Sequence, residues 1–306
     1  HFSRRSGTLA GFFFPIVYRM LGWLPLRVLH ALGAFGGLML YRRSVKYRRH
    51  MQRNLGLAYP DGVPVGLEAE AAKSAGRMMF EIPFLWQRPL PRVLETIREV
   101  VGWEQLEATW ANGNGVLIIT PHLGCWEAVP LYFGTRAPMT FMFRPPRQPW
   151  LHEIVEQGRI RPNLSPVPAD TSGVRLLMRA LKRGETVGIL PDQVPGGGQG
   201  TWSPFFGRPA YTMTLAARLS EMKGVTPFVA YGERLPRGRG YRLHFVAPAV
   251  PLDGDLQQRV DAINASIEQV IRQHPEQYLW GYKRYRVPDG VERPSQQAAG
   301  AGGAQS

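Results

Sequence analysis

The amino-acid sequence predicts an α/β fold, a mixed, largely parallel sheet flanked by helices, preceded by a membrane-associated helical segment. Two observations carry this. From about residue 116 onward, short apolar, β-branched runs alternate with amphipathic stretches of helical length, the pattern of strands covered by helices. The first 60 residues instead hold ten of the chain's Lys and Arg and no Asp or Glu, so they supply ten of the fourteen net positive charges of the 306-residue chain.

In this basic segment the charges are interleaved with apolar runs such as "AGFFFPIVY" and "VLHALGAFGGLMLY". A nucleic-acid arm has no use for such runs, whereas apolar stretches flanked by Arg and Lys suit a membrane surface. A cluster such as "RRSVKYRR" adds about 1 kcal/mol of attraction per basic residue near an anionic bilayer. Pro15, Arg19 and Pro25 interrupt the apolar runs. Either an interfacial or partly embedded helical hairpin, or one tilted span with Arg19 snorkelling to the surface, fits the pattern. No small-residue cleavage site follows, which argues against a removed signal peptide. The expected organisation is a membrane-associating segment over 1–60, an α/β domain over 61–293 and a disordered polar tail over 294–306.

Beyond the turn at "AYPD", helices are expected near Val65–Met79 and Arg92–Trp110. Strands are expected near Val116–Thr120, Met139–Phe143, Thr186–Leu190, Val225–Tyr231 and Tyr241–Pro248. Helices are expected near Trp126–Tyr132, Pro149–Arg159, Gly173–Arg183, Thr212–Lys223 and Leu256–Gln273. One cysteine, Cys125, is present, so neither a disulfide framework nor a cysteine-ligated zinc site is available.

Chemistry concentrates where the run "GVLIIT" ends in "PHLGCWE". Pro121 stops the strand, Gly124 turns the chain, and His122 falls in the loop ahead of Glu127 on the next helix. Within one helix a five-residue offset would put the two side chains about 140° apart. With His122 outside the helix the carboxylate can reach an imidazole nitrogen, fix its tautomer and leave the other nitrogen to take a proton. Seven histidines and 23 acidic residues make one such His-x4-acid pair a chance event in about every second chain of this size. A structural histidine is therefore an equal reading on spacing alone. The run "GILPDQ" is a second buried strand ending in a carboxylate, and Asp192 emerges on the same sheet edge as His122 if the two strands are parallel neighbours; a turn or cap carboxylate is the alternative. Arg159 and Arg161 fall at a helix end and Arg144 follows a strand. Each is either a solvated cation or a group that holds an anionic substrate or braces the site. Gly196–Gly200 is either a flexible loop or a backbone-donor cradle. Cys125 as a nucleophile is disfavoured, since direct transfer needs no covalent intermediate.

"PHLGCWE" resembles the His-x4-Asp/Glu motif of the glycerolipid acyltransferases, and more specifically that of the bacterial lipid A late acyltransferases, the lauroyl and myristoyl transferase family. The resemblance runs along nearly the whole chain, through "QRNLGLAYP", "FRPPRQP", "GRIR", "LPDQ", "PFFGRPAYT" and "PEQYLWGYKRYR" in that order. It departs in "PDQVPGGGQGTW", a longer glycine-rich loop. The resemblance implies a His122/Glu127 dyad as general base. It marks Arg159 and Asp192 as functional positions, and Arg144, Arg161, Gln193 and Arg208 as groups that bind substrate or brace the site. It further implies acyl-carrier protein as donor and an anionic lipid A precursor bearing Kdo sugars as acceptor, at the cytoplasmic face of the bacterial inner membrane, with no metal or other cofactor and no nucleic acid. An acyl thioesterase using the same dyad on water, and an acyltransferase for another bacterial glycolipid such as a mannosyl-inositol lipid, are the alternatives. A serine hydrolase is disfavoured because no serine stands in a Gly-x-Ser-x-Gly elbow.

Overall fold

A computed structural model describes residues 9–143, 158 and 161–294. Four helices open the described chain: α1 (Leu9–Trp23), α2 (Leu26–Arg43), α3 (Val45–Ala58) and α4 (Leu67–Gln87). Pro25 separates the first two, and Ser44 both ends α2 and caps α3 by accepting from the Tyr47 N–H. Packing of α2 on α4 is backbone-close. Gly33 and Gly37, one turn apart, face Gly76 and Ala72, whose backbone fills the space a Cβ would need. No helix among the described residues is long and apolar enough to cross a membrane, so the tilted single span is not found among them.

A buried polar cluster ties these helices to the sheet. Glu81 of α4 accepts from Arg234 Nη2 (2.6 Å) and Nε (2.9 Å) and from the Tyr241 hydroxyl (3.1 Å), and His30 Nε2 of α2 lies 2.9 Å away. Arg234 also donates to Ser74. Burial raises the Glu81 carboxyl, but the charge and hydrogen bonds of Arg234, with help from His30, outweigh it and leave the group far below the usual carboxylate range. A buried charge held this way tolerates no loss of its partner.

The main sheet contains β1 (Ile97–Val101), β2 (Gly115–Ile119), β3 (Met139–Phe143), β4 (Leu164–Pro168), β5 (Thr186–Ile189), β8 (Val225–Arg234) and β9 (Tyr241–Val246), in the order β1-β9-β8-β2-β5-β3-β4. Every neighbouring pair is parallel except β8 with β9. A separate antiparallel ribbon pairs β6 (Gly200–Phe205) with β7 (Arg208–Met213). The remaining α-helices among the described residues are α5 (Leu90–Leu94), α6 (Trp103–Ala111), α7 (Ala128–Phe133), α8 (Thr171–Lys182), α9 (Leu215–Ser220) and α10 (Leu256–Gln273). β2 is buried throughout, and its alternating side chains feed two cores. Leu117 and Ile119 pack with Leu177, Ala216 and Ile263 on one face. Val116 and Ile118 pack with Leu29, Phe84, Leu106 and Phe133 on the other. A central parallel strand covered on both faces reads as a continuous apolar run for this reason.

The α/β class, the largely parallel sheet and the five expected strands are present. The single helix expected over Arg92–Trp110 is not: β1 interrupts it. Gly102, at φ 82° and with the Phe245 carbonyl where a Cβ would sit, turns the chain between β1 and α6. The helix expected over Val65–Met79 continues to Gln87 straight through Pro83. The helix expected over Thr212–Lys223 shrinks to α9 because Tyr211–Met213 pair with Gly200–Trp202 in the ribbon. β4 was not foreseen, as Pro166 and Pro168 spoil the strand pattern; as the sheet's edge strand it tolerates them. The helix expected over Pro149–Arg159 lies outside the described residues apart from Gly158, as does the expected tail past Pro294.

Replacing Glu81 by Ala leaves Arg234 buried and unpaired and should destabilise the fold by about 3–5 kcal/mol. Denaturant unfolding of the detergent-solubilised protein measures this, and a loss below about 1 kcal/mol would mean that water enters the cluster and screens it.

Candidate functional site

β2 and β5 are parallel neighbours, with Ile119 opposite Ile189 in the ladder. The Thr120 N–H still reaches the Ile189 carbonyl, at 2.9 Å. Two residues past the last ladder pair each strand has a proline, Pro121 and Pro191, which has no N–H to extend the pairing. The next residue on each strand is His122 and Asp192. Shared register therefore delivers the two side chains to the same point on the sheet edge. The His122 N–H donates to Asp192 Oδ2 (2.8 Å), and His122 Nδ1 lies 2.7 Å from Asp192 Oδ1. On the far side of the ring, the Gln193 amide nitrogen is 3.0 Å from His122 Nε2. A carboxylate on Nδ1 and an amide donor at Nε2 assign the proton to Nδ1 and the lone pair to Nε2.

Asp192 is buried and His122 slightly exposed, at 1% and 14% of their side-chain surfaces. Burial raises the Asp192 carboxyl. His122's charge and its ring and backbone hydrogen bonds, followed by the charge of Arg284, more than reverse this and hold it below the usual carboxylate range. A folded-state value below the unfolded one means that the pairing stabilises the protein at neutral pH, and that this contribution fades as pH falls through the acidic range. Behind Asp192 stand Tyr278 and Arg284. Burial, then the Asp192 charge, pushes the Tyr278 phenol well above its usual range. Arg284 is buried and donates to the Tyr211 carbonyl (2.8 Å) and Thr212 Oγ1 (2.6 Å).

The loop after His122 is clamped on both sides. Gly124 donates to the Gln277 carbonyl, Cys125 to the Gly232 carbonyl, and Leu279 N–H returns to the His122 carbonyl. Gly124 has φ 59°, and a Cβ there would collide with the Gly232 carbonyl. The Trp126 ring stands edge-on to His122 with centroids 4.7 Å apart. Cys125 is buried, and burial followed by the nearby Glu81 charge pushes its thiol well above the usual range, away from nucleophilic use.

The carboxylate bonded to the His122 ring is Asp192, where spacing along the chain pointed to Glu127. Glu127 stands at the start of α7, largely buried, and accepts from the Trp86 indole N–H at 3.1 Å. The two acids still meet in one place. A cavity of about 930 Å³ opens over His122, Glu127 and Gln193, and its walls are mostly apolar, including Met78, Ile82, Leu131, Phe141 and Met142. Arg161 supports the wall from behind by donating to the Trp86 carbonyl (2.7 Å), and burial lowers its guanidinium below the usual arginine range. Arg208 is exposed on β7 and does not line the cavity. Arg144 and Arg159 lie outside the described residues. Trp86, Arg218, Tyr278 and Arg284 are contributors that sequence reasoning missed. The last two sit in the aromatic "YLWGYKRYR" stretch, which reads as packing until the fold carries it beneath Asp192.

Residues 2–287 match the profile of the bacterial lipid A biosynthesis acyltransferase family. The chain is 30% identical over 277 residues to a lipid A biosynthesis lauroyltransferase of Escherichia coli K12, covering 88% of this chain and 89% of that protein. It is 29% identical over 269 residues to a lipid A biosynthesis palmitoleoyltransferase of the same organism, covering 86% and 87%. It is 27% identical over 289 residues to a lipid A biosynthesis acyltransferase of Haemophilus influenzae, covering 90% and 86%.

Forcing a side chain onto the left-handed turn, as in Gly124→Ala, should cost about 1–3 kcal/mol of stability from backbone strain alone, read as a fall in unfolding midpoint. In the native protein the Cys125 thiol should resist a thiol-titrating disulfide reagent that labels it within minutes in denaturant. Equal labelling rates in both states would show that the loop opens freely.

Proposed function

The chain belongs to the bacterial lipid A biosynthesis acyltransferase family, and from that premise we propose that it moves a fatty acyl chain from acyl-carrier protein to a hydroxyl of a lipid A precursor, with His122 as general base. The observation that carries this reading is the His122 ring itself. Nδ1 is locked on a buried carboxylate, Nε2 hydrogen-bonds only the Gln193 amide among the described residues, and both His122 and Gln193 line a cavity with mostly apolar walls.

In this mechanism the acceptor hydroxyl takes the place of the Gln193 amide at Nε2. His122 removes its proton as the oxygen attacks the thioester carbonyl. Asp192 keeps the ring in the productive tautomer and stabilises the imidazolium. The displaced Gln193 amide is close enough to donate to the oxyanion of the tetrahedral intermediate. Collapse breaks the carbon–sulfur bond, and the departing thiolate takes the proton back from His122, leaving the ester and the free carrier thiol. Glu127 lines the same cavity, where it holds the acceptor hydroxyl toward Nε2; the catalytic unit is then His122 with two carboxylates, one on each side. The apolar walls accept the acyl chain, and the adaptable methionines among them suit a flexible ligand.

Reaching a lipid acceptor calls for contact with a bilayer. Along α1 and α2, Ile16, Val17, Met20, Trp23, Leu32, Phe35 and Leu40 are exposed, next to the basic run from Arg42 to Arg49. This face supports peripheral seating on an anionic surface, in keeping with the cytoplasmic face of the inner membrane, and the basic excess suits an acidic carrier protein.

With acyl-carrier thioester and lipid A precursor, His122→Ala and Asp192→Asn should each lower kcat about 10³–10⁴-fold with little change in KM, as expected for loss of a base and of its tautomer. Thioester consumption should depend on the acceptor. Full consumption without it would identify a thioesterase, and wild-type rates in His122→Ala would remove the histidine from the mechanism. Replacing Trp23 and Phe35 by Ser should weaken co-sedimentation with anionic vesicles while leaving the folded state intact; unchanged sedimentation would place the membrane contact elsewhere.

A further inference from the structure

Away from the cavity, three ligand-type side chains converge from three elements. Glu233 comes from β8, His244 from β9, and His274 from the residue that ends α10. One ligand atom from each lies within 4.8 Å of the others. His244 Nε2 is 2.9 Å and His274 Nε2 3.9 Å from Glu233 Oε2. The two imidazole centroids are 5.9 Å apart. We propose that Glu233, His244 and His274 bind a divalent transition ion of the zinc class, as a structural clamp distinct from the catalytic cavity.

The donor set and spacing fit such an ion. Zinc held at ordinary bond lengths in a tetrahedral site places its donors about 3.3 Å apart, and the observed separations bracket that value within small side-chain adjustments. Two imidazoles and a carboxylate favour borderline transition ions over calcium or magnesium, which want oxygen donors. The side chains are partly exposed, at 13% for Glu233, 14% for His244 and 22% for His274, which gives an ion a way in and leaves the fourth position to water. Arg242 Nη1 donates to Glu233 Oε2 at 3.1 Å, so the ion and the guanidinium would share this carboxylate. Outer partners are in place as well. Tyr231 stacks on the His244 ring at 4.5 Å, and Glu99 takes up the Arg242 charge at 2.6 Å.

The clamp would act on the loop that carries the catalytic histidine. Glu233 follows Gly232, whose carbonyl holds Cys125 N–H. Three residues after His274, Gln277 brackets Arg234 by accepting from its N–H and donating to its carbonyl, while its own carbonyl takes the Gly124 N–H. An ion joining β8, β9 and the end of α10 would fix the spacing of both supports. The inference stands independently of the acyl-transfer reading.

The test uses tag-free, detergent-solubilised full chain, stripped with chelator and titrated with zinc against a chromophoric competitor. The expected result is one equivalent per chain, a zinc-dependent rise in unfolding midpoint, and cobalt spectra of a nitrogen–oxygen site with low coordination number. His244→Gln and His274→Gln should each weaken binding by more than about 100-fold, the upper end of what even outer-sphere partners contribute. Because His244 also packs on Tyr231, His274→Gln at the helix end, with its fold checked by circular dichroism, is the decisive variant. His122→Ala should keep the equivalent. Absence of stoichiometric binding at micromolar zinc, or wild-type affinity in His274→Gln, overturns the assignment.

Discussion

The site depends on the register between two adjacent parallel strands. Because Ile119 lies opposite Ile189, and each strand runs on through one residue and a proline, His122 and Asp192 arrive side by side without any long loop having to find its partner. A carboxylate buried at the end of a sheet is costly unless its charge is answered. Here the answer comes from His122 in front and from Tyr278 and Arg284 behind. The same hydrogen bonds that make the buried acid tolerable hold the imidazole in one tautomer. Stability and chemical poise are consequences of a single arrangement, and a slip of one residue in the β2–β5 ladder would undo both.

α4 links this centre to the amphipathic helices in front of it. Its glycine-lined face packs against α2, its Glu81 takes Arg234 from β8, its Trp86 holds Glu127, and its Met78 and Ile82 face the cavity. With the exposed apolar residues of α1 and α2 on one side and the cavity on the other, α4 fixes the distance between the two. The buried Glu81–Arg234 pair makes that distance rigid, since neither charge can leave its partner cheaply.

Much of this was legible in the sequence, and what was not has physical reasons. β2 announces itself by its unbroken apolar run, and Pro121 marks where it surfaces, so His122 was placed correctly at a strand end. Asp192 followed once "GILPDQ" was read as a second such strand. The identity of the acid on Nδ1 was harder. Spacing along the chain favours Glu127, five residues away, whereas the β2–β5 register is a contact across 70 residues that no local pattern encodes. β4 escaped notice because prolines are permitted only by its edge position, and β1 because its strand pattern spans only five residues between two helical stretches. Tyr278 and Arg284 fall in an aromatic stretch that reads as packing until the chain passes beneath Asp192. The Glu233, His244 and His274 grouping is likewise invisible in one dimension, as 30 residues separate the two histidines.

The tautomer of His122 can be read directly by nitrogen-15 spectroscopy. In protein labelled with nitrogen-15 at histidine, two-bond nitrogen–proton correlations above neutral pH distinguish a protonated Nδ1 from a protonated Nε2. A single His122 species is expected, with its proton on Nδ1, facing Asp192, and the lone pair on Nε2. A proton on Nε2, or a ring exchanging between both forms as a free imidazole does, would contradict this assignment.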